Sequence, residues 1–252
     1  LKFNKFSDIR LDIRNREAIK DCIKEFKPDF VFHLAAQALV RASYQSPSET
    51  FEVNTIGTIN ILEALRELEN SCSVVLITSD KVYKNVEWTW GYRENDLIGG
   101  IDPYSASKGS AEIAINSYVE SFFKNQSIVK ISIARAGNVI GGGDWAPDRI
   151  VPDCIASCID HVPLEIRSPY ATRPWQHVLE PLSGYLTLAL NLEKRDELHG
   201  EAFNFGPPSI QNRTVLELVK TMQTFWDEII WIDKSKNNSG PLEAGLLKLN
   251  CD

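Results

Sequence analysis

Tyr104 and Lys108 stand four positions apart and follow Asp102-Pro103, a pair that can open a helix. Residues i and i+4 share one helical face. An ammonium beside a phenol favours the phenolate, so the spacing predicts a tyrosine drawn down from a pKa of about 10 towards the range of a general base. Oxidation of a sugar or alcohol needs such a group. Tyr-x-x-x-Lys also occurs on ordinary amphipathic helices, so its surroundings must decide its meaning. Upstream, the apolar run Ser73 to Thr78 ends in Ser79-Asp80-Lys81. His33 and His177 have no second histidine or cysteine at ligand spacing; both are assigned to packing, and no metal site is expected. Cys154 and Cys158 share a helix face and are likewise expected to pack.

The elements that must position these residues follow from hydrophobic periodicity. Asn15 to Lys27 repeats with helical period and is stopped by Pro28. Phe30 to Leu34 is a near-continuous apolar run, the pattern of a strand covered on both faces. Ala35-Ala36-Gln37 then falls at a strand's carboxyl end, where open parallel sheets bind ligands. Ser46-Pro47-Ser48-Glu49 reads as a capping box with proline at the first helical position, so a helix is expected from Pro47 to about Glu69. Asn54 lies on its apolar stripe and either bonds to backbone or faces a site. A second buried strand spans Ser73–Thr78. A long loop then leads to a helix from Tyr104 to about Lys124, and Val129–Arg135 is a further strand. Alternating helices and strands predict half of a doubly wound α/β sheet.

Beyond Asn138 the texture changes to short strands, loops and helices, among them Arg149–Asp160, a helix opened by Pro181, and Val215–Trp226. These predict a smaller mixed α/β lobe laid against the sheet, with Lys234–Gly240 as a linker. The expected division is residues 1–140 as part of a doubly wound sheet domain and 141–252 as mainly the smaller lobe, with some segments returning to the sheet.

The 252 residues, 43% of them hydrophobic, suffice to bury a core. Thirty-four acidic against 27 basic side chains give a net charge of -7. With no long basic run, nucleic acid and anionic membrane surfaces are poor partners. The longest apolar runs are too short to span a bilayer. Five scattered cysteines without C-x-x-C fit a reduced, cytoplasmic setting. The opening Leu1 to Phe6, with neither methionine nor signal core, reads as a cut within a longer chain.

Thr78-Ser79-Asp80-Lys81, Tyr104-x-x-x-Lys108 and the upstream His33-Leu34-Ala35-Ala36 together resemble the extended short-chain dehydrogenase/reductase family, NAD-dependent enzymes that remodel nucleotide sugars. Trp90 to Asn95, Arg135 to Trp145 and Arg173 to Pro181 look specifically like its branch of 4,6-dehydratases acting on CDP-glucose. The resemblance covers nearly the whole chain, in order. The family's N-terminal strand and glycine-rich turn are missing, since the first glycine is Gly57, and Leu242 stands where a histidine is expected.

What the resemblance implies is a Rossmann-like fold and a reaction in which hydrogen leaves C4, water leaves across C5 and C6, and a hydride returns at C6, with NAD unchanged at the end. It also implies NAD binding for the partial domain of residues 1–140 and substrate binding mainly for residues 141–252. Tyr104 would be the base for the C4 hydroxyl, Lys108 would lower its pKa and hold the nicotinamide ribose, and Ser79 would bond the same hydroxyl. Asp80 would be the acid for the C6 hydroxyl, which requires a raised pKa. Lys81 would be the C5 base, which requires a pKa lowered from about 10.4 to near 7, about 4 kcal/mol. Cofactor contacts would come from Asp12, Ile13, Leu34, Ala35, Ala36, Gln37 and Asn54 besides Tyr104 and Lys108. Asp12 reads equally as a helix N-terminal charge. Asn138, Arg149 and Arg173 would hold the nucleotide diphosphate and base, since a guanidinium fork matches diphosphates. A nucleotide sugar is the expected substrate and a homo-oligomer, dimer or tetramer, the expected assembly. The rival readings are an NAD-dependent nucleotide-sugar 4-epimerase and a non-catalytic nucleotide-binding chain.

Overall fold

Among the described residues ten strands follow one another: β1 (Phe30–His33), β2 (Cys72–Ile77), β3 (Val129–Ala136), β4 (Val139–Ile140), β5 (Leu164–Ile166), β6 (Thr172–Arg173), β7 (Gln176–His177), β8 (Ala202–Phe205), β9 (Arg213–Thr214) and β10 (Trp231–Asp233). The α-helices are α1 (Arg16–Phe26), α2 (Val40–Gln45), α3 (Pro47–Phe51), α4 (Gly57–Leu65), α5 (Pro103–Tyr118), α6 (Ile150–Ile159), α7 (Leu179–Lys194) and α8 (Val215–Gln223). The computed structural model describes residues 6–125, 128–208, 210–237 and 244–251.

Four strands form the central sheet in the order β1-β2-β3-β8, every pair parallel. Alternate residues of a strand point to opposite faces. Val74, Leu76, Ile131 and Ile133 accordingly pack in one cluster with Ile61, Leu62 and Leu65 of α4 and Ile115 of α5. Val75 and Ala134 pack on the other face with Tyr185, Leu188 and Ala189 of α7. The buried strands are apolar on both faces because helices cover both, as the sequence patterns require. A second core, built from Cys154, Cys158, Leu164, Ile166, Val219 and Ile229, unites α6, β5 and α8. The two cysteines are therefore packing residues. Although α7 and β8 come late in the chain, they belong to the sheet.

Several expectations are corrected. Ser46 makes no side-chain capping bond; Glu49 turns out to Arg14 at 3.3 Å, and Thr50 Oγ1 donates to the Ser46 carbonyl at 2.9 Å. The helix that follows ends at Leu65 rather than Glu69, and a π-helical turn interrupts it over Glu52–Ile56. The Tyr104 helix passes into a similar turn at Val119–Phe123. Within 234–240, the Lys234 N–H donates to the Ile166 carbonyl at 2.9 Å and Ser235–Asn237 forms a 3₁₀ turn, while residues 238–240 and Leu242 lie outside the described residues. His177 is exposed, and its Nδ1 accepts the Leu179 N–H at 3.2 Å.

His33 does pack. It ends β1, buried, with Nε2 3.1 Å from Thr58 Oγ1. Burial first, and the nearby Lys108 charge second, push its pKa down from 6.5 to about 4. Between those two values the unfolded chain binds the proton that the folded chain refuses, so stability falls as pH drops from 6.5 to about 4. The loss should be about 3 kcal/mol in total. Urea unfolding across that range should show this component in the wild type and not in His33→Gln.

Candidate active site

The carboxyl ends of β1, β2 and β3 lie side by side, and the segments leaving them carry the polar residues singled out in the sequence. After β2 the chain makes one 3₁₀ turn, Asp80–Val82, capped by Ser79, whose Oγ accepts the Lys81 N–H at 3.2 Å. The same Oγ donates to Asp80 Oδ1 at 3.0 Å and is hydrogen-bonded to the Tyr104 hydroxyl. Ser79 thus joins the phenol to the carboxyl.

Tyr104 is held from three sides. Asp102 caps α5 by accepting the Ser105 N–H at 2.9 Å, Ser43 Oγ accepts the Tyr104 N–H at 3.1 Å, and Ser107 Oγ donates to the Tyr104 carbonyl at 2.7 Å. Gly100 crosses this first turn so closely that a Cβ would lie 2.2 Å from the backbone of Ser105 and Ala106. Ser107 is tied in turn to Asn54, whose Nδ2 donates to Ser107 Oγ at 2.9 Å and to the Gln37 carbonyl at 3.0 Å, while its Oδ1 accepts the Gln37 N–H at 2.8 Å. Of the two readings of Asn54, the structure takes the backbone-bonding one. Its π-helical turn sets the amide to clamp the loop after β1 onto the tyrosine helix, and such turns recur at functional sites.

Asp80 is 3% exposed, and burial raises its pKa against the opposing pull of Lys81, Ser79 and Arg173. Its Oδ2 is buried without a hydrogen-bond partner, as a carboxylic acid awaiting a ligand oxygen would be. Burial also pushes Tyr104 up to about 12, with the Ser79 bond working against that shift. Lys108 does not reverse it. Its Nζ donates instead to the Ile77 carbonyl at 3.3 Å, and burial lowers its pKa to about 8 against the carboxylate of Glu112. The spacing argument for a depressed tyrosine is thus corrected: i,i+4 places both groups on one face, but desolvation outweighs their attraction.

Beneath the site lies a polar network that the sequence analysis missed. Glu112 and Arg135, both almost fully buried, form a two-pronged ion pair with Nε to Oε1 at 2.9 Å. Thr78 donates to Glu112, Arg135 Nη1 donates to the Tyr83 hydroxyl at 2.8 Å, and Tyr83 donates to Asn204 at 2.7 Å. The available signal was Glu112 one turn beyond Lys108.

Ser79, Asp80, Lys81, Tyr104, Asn138, Arg149 and Arg173 line one cavity of about 470 Å³. Arg149 bonds Asp144 at 2.8 Å, and Arg173 donates to the Thr172 carbonyl at 2.8 Å. Three further lining residues were not foreseen: Asp148 Oδ1 takes Arg41 at 2.8 Å and Arg167 at 3.0 Å. Trp175 also lines the cavity, with a buried indole N–H that has no partner.

The other expected cofactor residues are spread along the neighbouring edge. Leu34 is 51% exposed, Ala35 is exposed, and Ala36 and Gln37 are half-buried. Asp12 is exposed, and its carboxylate is held by Arg14 down to about 2; the cap of α1 is Asn15. Ile13 is pinned by Asn60, which donates to its carbonyl at 2.9 Å. A dinucleotide suits this edge: small and apolar side chains leave room for close approach at the β1 end, and a buried ammonium, Lys108, lies behind Tyr104 at the β2 end. Among the described residues, no cluster of His, Cys, Asp or Glu could hold a metal.

A profile of the GDP-mannose 4,6 dehydratase family matches residues 2–226. A CDP-glucose 4,6-dehydratase of Salmonella typhimurium is 49% identical over 245 residues, covering 95% of this chain and 68% of that protein. The fold is shared with a UDP-glucuronic acid 4-epimerase of Bacillus cereus in complex with UDP-glucuronic acid and NAD (TM-score 0.83, 23% identity, 99% of this chain and 74% of that one). It is shared equally with the dTDP-glucose 4,6-dehydratase DesIV of Streptomyces venezuelae (TM-score 0.80, 19% identity, 99% and 72%).

Proposed function

The chain belongs to the GDP-mannose 4,6 dehydratase family, among the extended short-chain dehydrogenases/reductases, and from that membership we propose that it is an NAD-dependent hydro-lyase converting CDP-glucose to CDP-4-keto-6-deoxyglucose. The observation that carries this reading is the buried Asp80 carboxyl with its raised pKa, set between Ser79 and Lys81 on the cavity wall. An epimerase has no use for an acid there. A 4,6-elimination requires one.

NAD, when bound, would supply the hydride store that lets hydrogen lost from C4 come back at C6. Tyr104 accepts the C4 hydroxyl proton, and Ser79 orients that hydroxyl. Lys81 removes the C5 proton, and Asp80 gives its proton to the departing C6 oxygen, which leaves as water. Lys108 would hold the nicotinamide ribose, the backbone at Leu34 to Gln37, clamped by Asn54, would support the pyrophosphate side, and Asp12 and Ile13 would lie near the adenine. Asn138, Arg149 and Arg173 hold the nucleotide diphosphate and base. Residues 1–140 serve mainly NAD and residues 141–252 mainly the substrate, with α7 and β8 supporting the first. Five free cysteines support a cytoplasmic setting, and no described helix is long and apolar enough to cross a membrane.

The test is to incubate the full-length protein with CDP-glucose and with dTDP-glucose carrying deuterium at C4. Product from CDP-glucose, with the label in the C6 methyl group, is the expected result; label retained at C4 would indicate an epimerase. Asp80→Asn should lower elimination about 10²-fold, the lower end of the range for a general acid, and unchanged elimination would remove Asp80 from the reaction.

A homo-oligomer, built through the helices that follow Pro47 and Tyr104, is the second part of the proposal. Ile113 on α5 is 62% exposed and Ile56 at the π-helical turn 47%, apolar surface that a partner copy would cover. Ile113→Asp should shift the mass measured by light scattering from dimer or tetramer to monomer. A monomeric wild type would defeat the assignment.

A further inference from the structure

Arg41, Asp148 and Arg167 come from three separate elements and meet at one oxygen. Arg41 stands on α2, in the sheet half of the molecule. Arg167 follows β5 and Asp148 precedes α6, both in the smaller lobe. Asp148 Oδ1 accepts from Nη1 of each arginine, at 2.8 and 3.0 Å, and all three side chains line the cavity that holds Ser79, Asp80 and Tyr104. Each guanidinium gives this oxygen one of its five N–H groups, so the contact fixes orientation. Asp148 reaches the position through a left-handed backbone (φ 64), a conformation that costs a residue other than glycine free energy and recurs at functional sites. The Asp148 N–H is also bonded to the carboxyl of Asp153, which anchors the turn. With a net charge of -7, the chain must hold an anionic ligand by local geometry rather than by its overall field.

We propose that Asp148 is a positioning residue that clips Arg41 to Arg167 across the cavity, and that the two guanidiniums grip the diphosphate of the nucleotide sugar. The inference rests on the proposed function for the identity of the ligand, and adds to Arg149 and Arg173 two contacts to the phosphates. A planar fork on each side of the cavity matches the paired oxygens of a diphosphate. Because one fork belongs to each half of the molecule, the diphosphate also ties the lobe to the sheet.

Titration of the full-length protein with CDP by calorimetry, and with cytidine by ligand-observed NMR, tests this in the wild type, Arg41→Ala, Arg41→Lys, Arg167→Ala and Asp148→Asn. The arginine-to-alanine variants should each weaken CDP about 10- to 100-fold, the equivalent of a lost charge-assisted hydrogen bond, while cytidine binding stays within about twofold. Arg41→Lys should fold like the wild type and fail to restore CDP affinity, because an ammonium lacks the fork. Asp148→Asn should weaken CDP about threefold or more, since a neutral amide orients the guanidiniums less firmly. Wild-type CDP affinity in either alanine variant, an equal loss of cytidine, or tighter CDP binding in Asp148→Asn would overturn the proposal. If the wild type prefers UDP or dTDP over CDP, the base assignment under the proposed function fails, and the same variants titrated with that diphosphate still decide the clip.

Discussion

Tyr104→Phe should reduce turnover of the nucleotide sugar about 10³-fold, within the range for loss of a general base, while the protein remains folded. The ring is 7% exposed and packed at the head of α5, and phenylalanine fills the same volume, so the contact removed among the described residues is the hydroxyl bond to Ser79. That bond is worth about 1 kcal/mol to stability. The catalytic effect is far larger because the phenol is buried against Asp80 and Ser79, where water cannot readily take its place. Burial pushes the phenol up to about 12, so the proposed role as a base requires charge brought to it when the reacting groups assemble. Turnover and urea unfolding measured on the same preparation check both halves. Activity within tenfold of wild type would mean that another group takes the C4 proton.

Glu112→Ala should destabilise the fold by 3–5 kcal/mol, the usual cost of stripping one partner from a buried ion pair, on the order of a third of a domain's total stability. Arg135 would remain charged, 2% exposed, with its carboxylate gone, and Thr78 would lose its acceptor at the very strand end that carries Ser79 and Asp80. Replacing both partners with apolar residues should recover much of the loss, because the desolvation penalty of the arginine goes with it. Urea midpoints for Glu112→Ala and for Glu112→Leu/Arg135→Met check the pair. If the double variant is no more stable than the single, the packing of Glu112 rather than its charge carries the effect.

The parallel sheet was legible in the sequence because its strands are short apolar runs separated by helical periods, and the polar corner of the cavity was legible because Ser79, Asp80 and Lys81 follow one such run. What escaped were contacts between distant segments. Nothing near Arg41 in sequence points to Asp148 or Arg167, since the three are united only by the folding of one lobe over the other half. Glu112 and Arg135 escaped for the opposite reason: each sits inside an otherwise ordinary helix or strand, and only burial shows that neither faces water. The expected capping box at Ser46 failed because Arg14, distant in sequence, attracts Glu49 outward. Local spacing predicted which groups share a face, but their protonation was decided by the depth at which that face lies.

The fourth strand of the sheet has a consequence for how the protein is made. Ribosomes deliver β3 well before β8, and until β8 arrives the Ile133–Ala136 edge that pairs with it lacks its ladder partner. The interval covers the entire run from β4 through α7, including Asp148, Arg167 and Arg173. A nascent chain halted in that interval would expose an apolar strand edge of the kind that seeds aggregation. The last peptide bonds that complete the sheet also bring Phe205 to Gln176, whose Nε2 donates to its carbonyl at 2.8 Å. Completion of the sheet and the docking of Gln176 against its last strand are therefore a single late event in the protein's biogenesis, and chaperone demand should peak just before it.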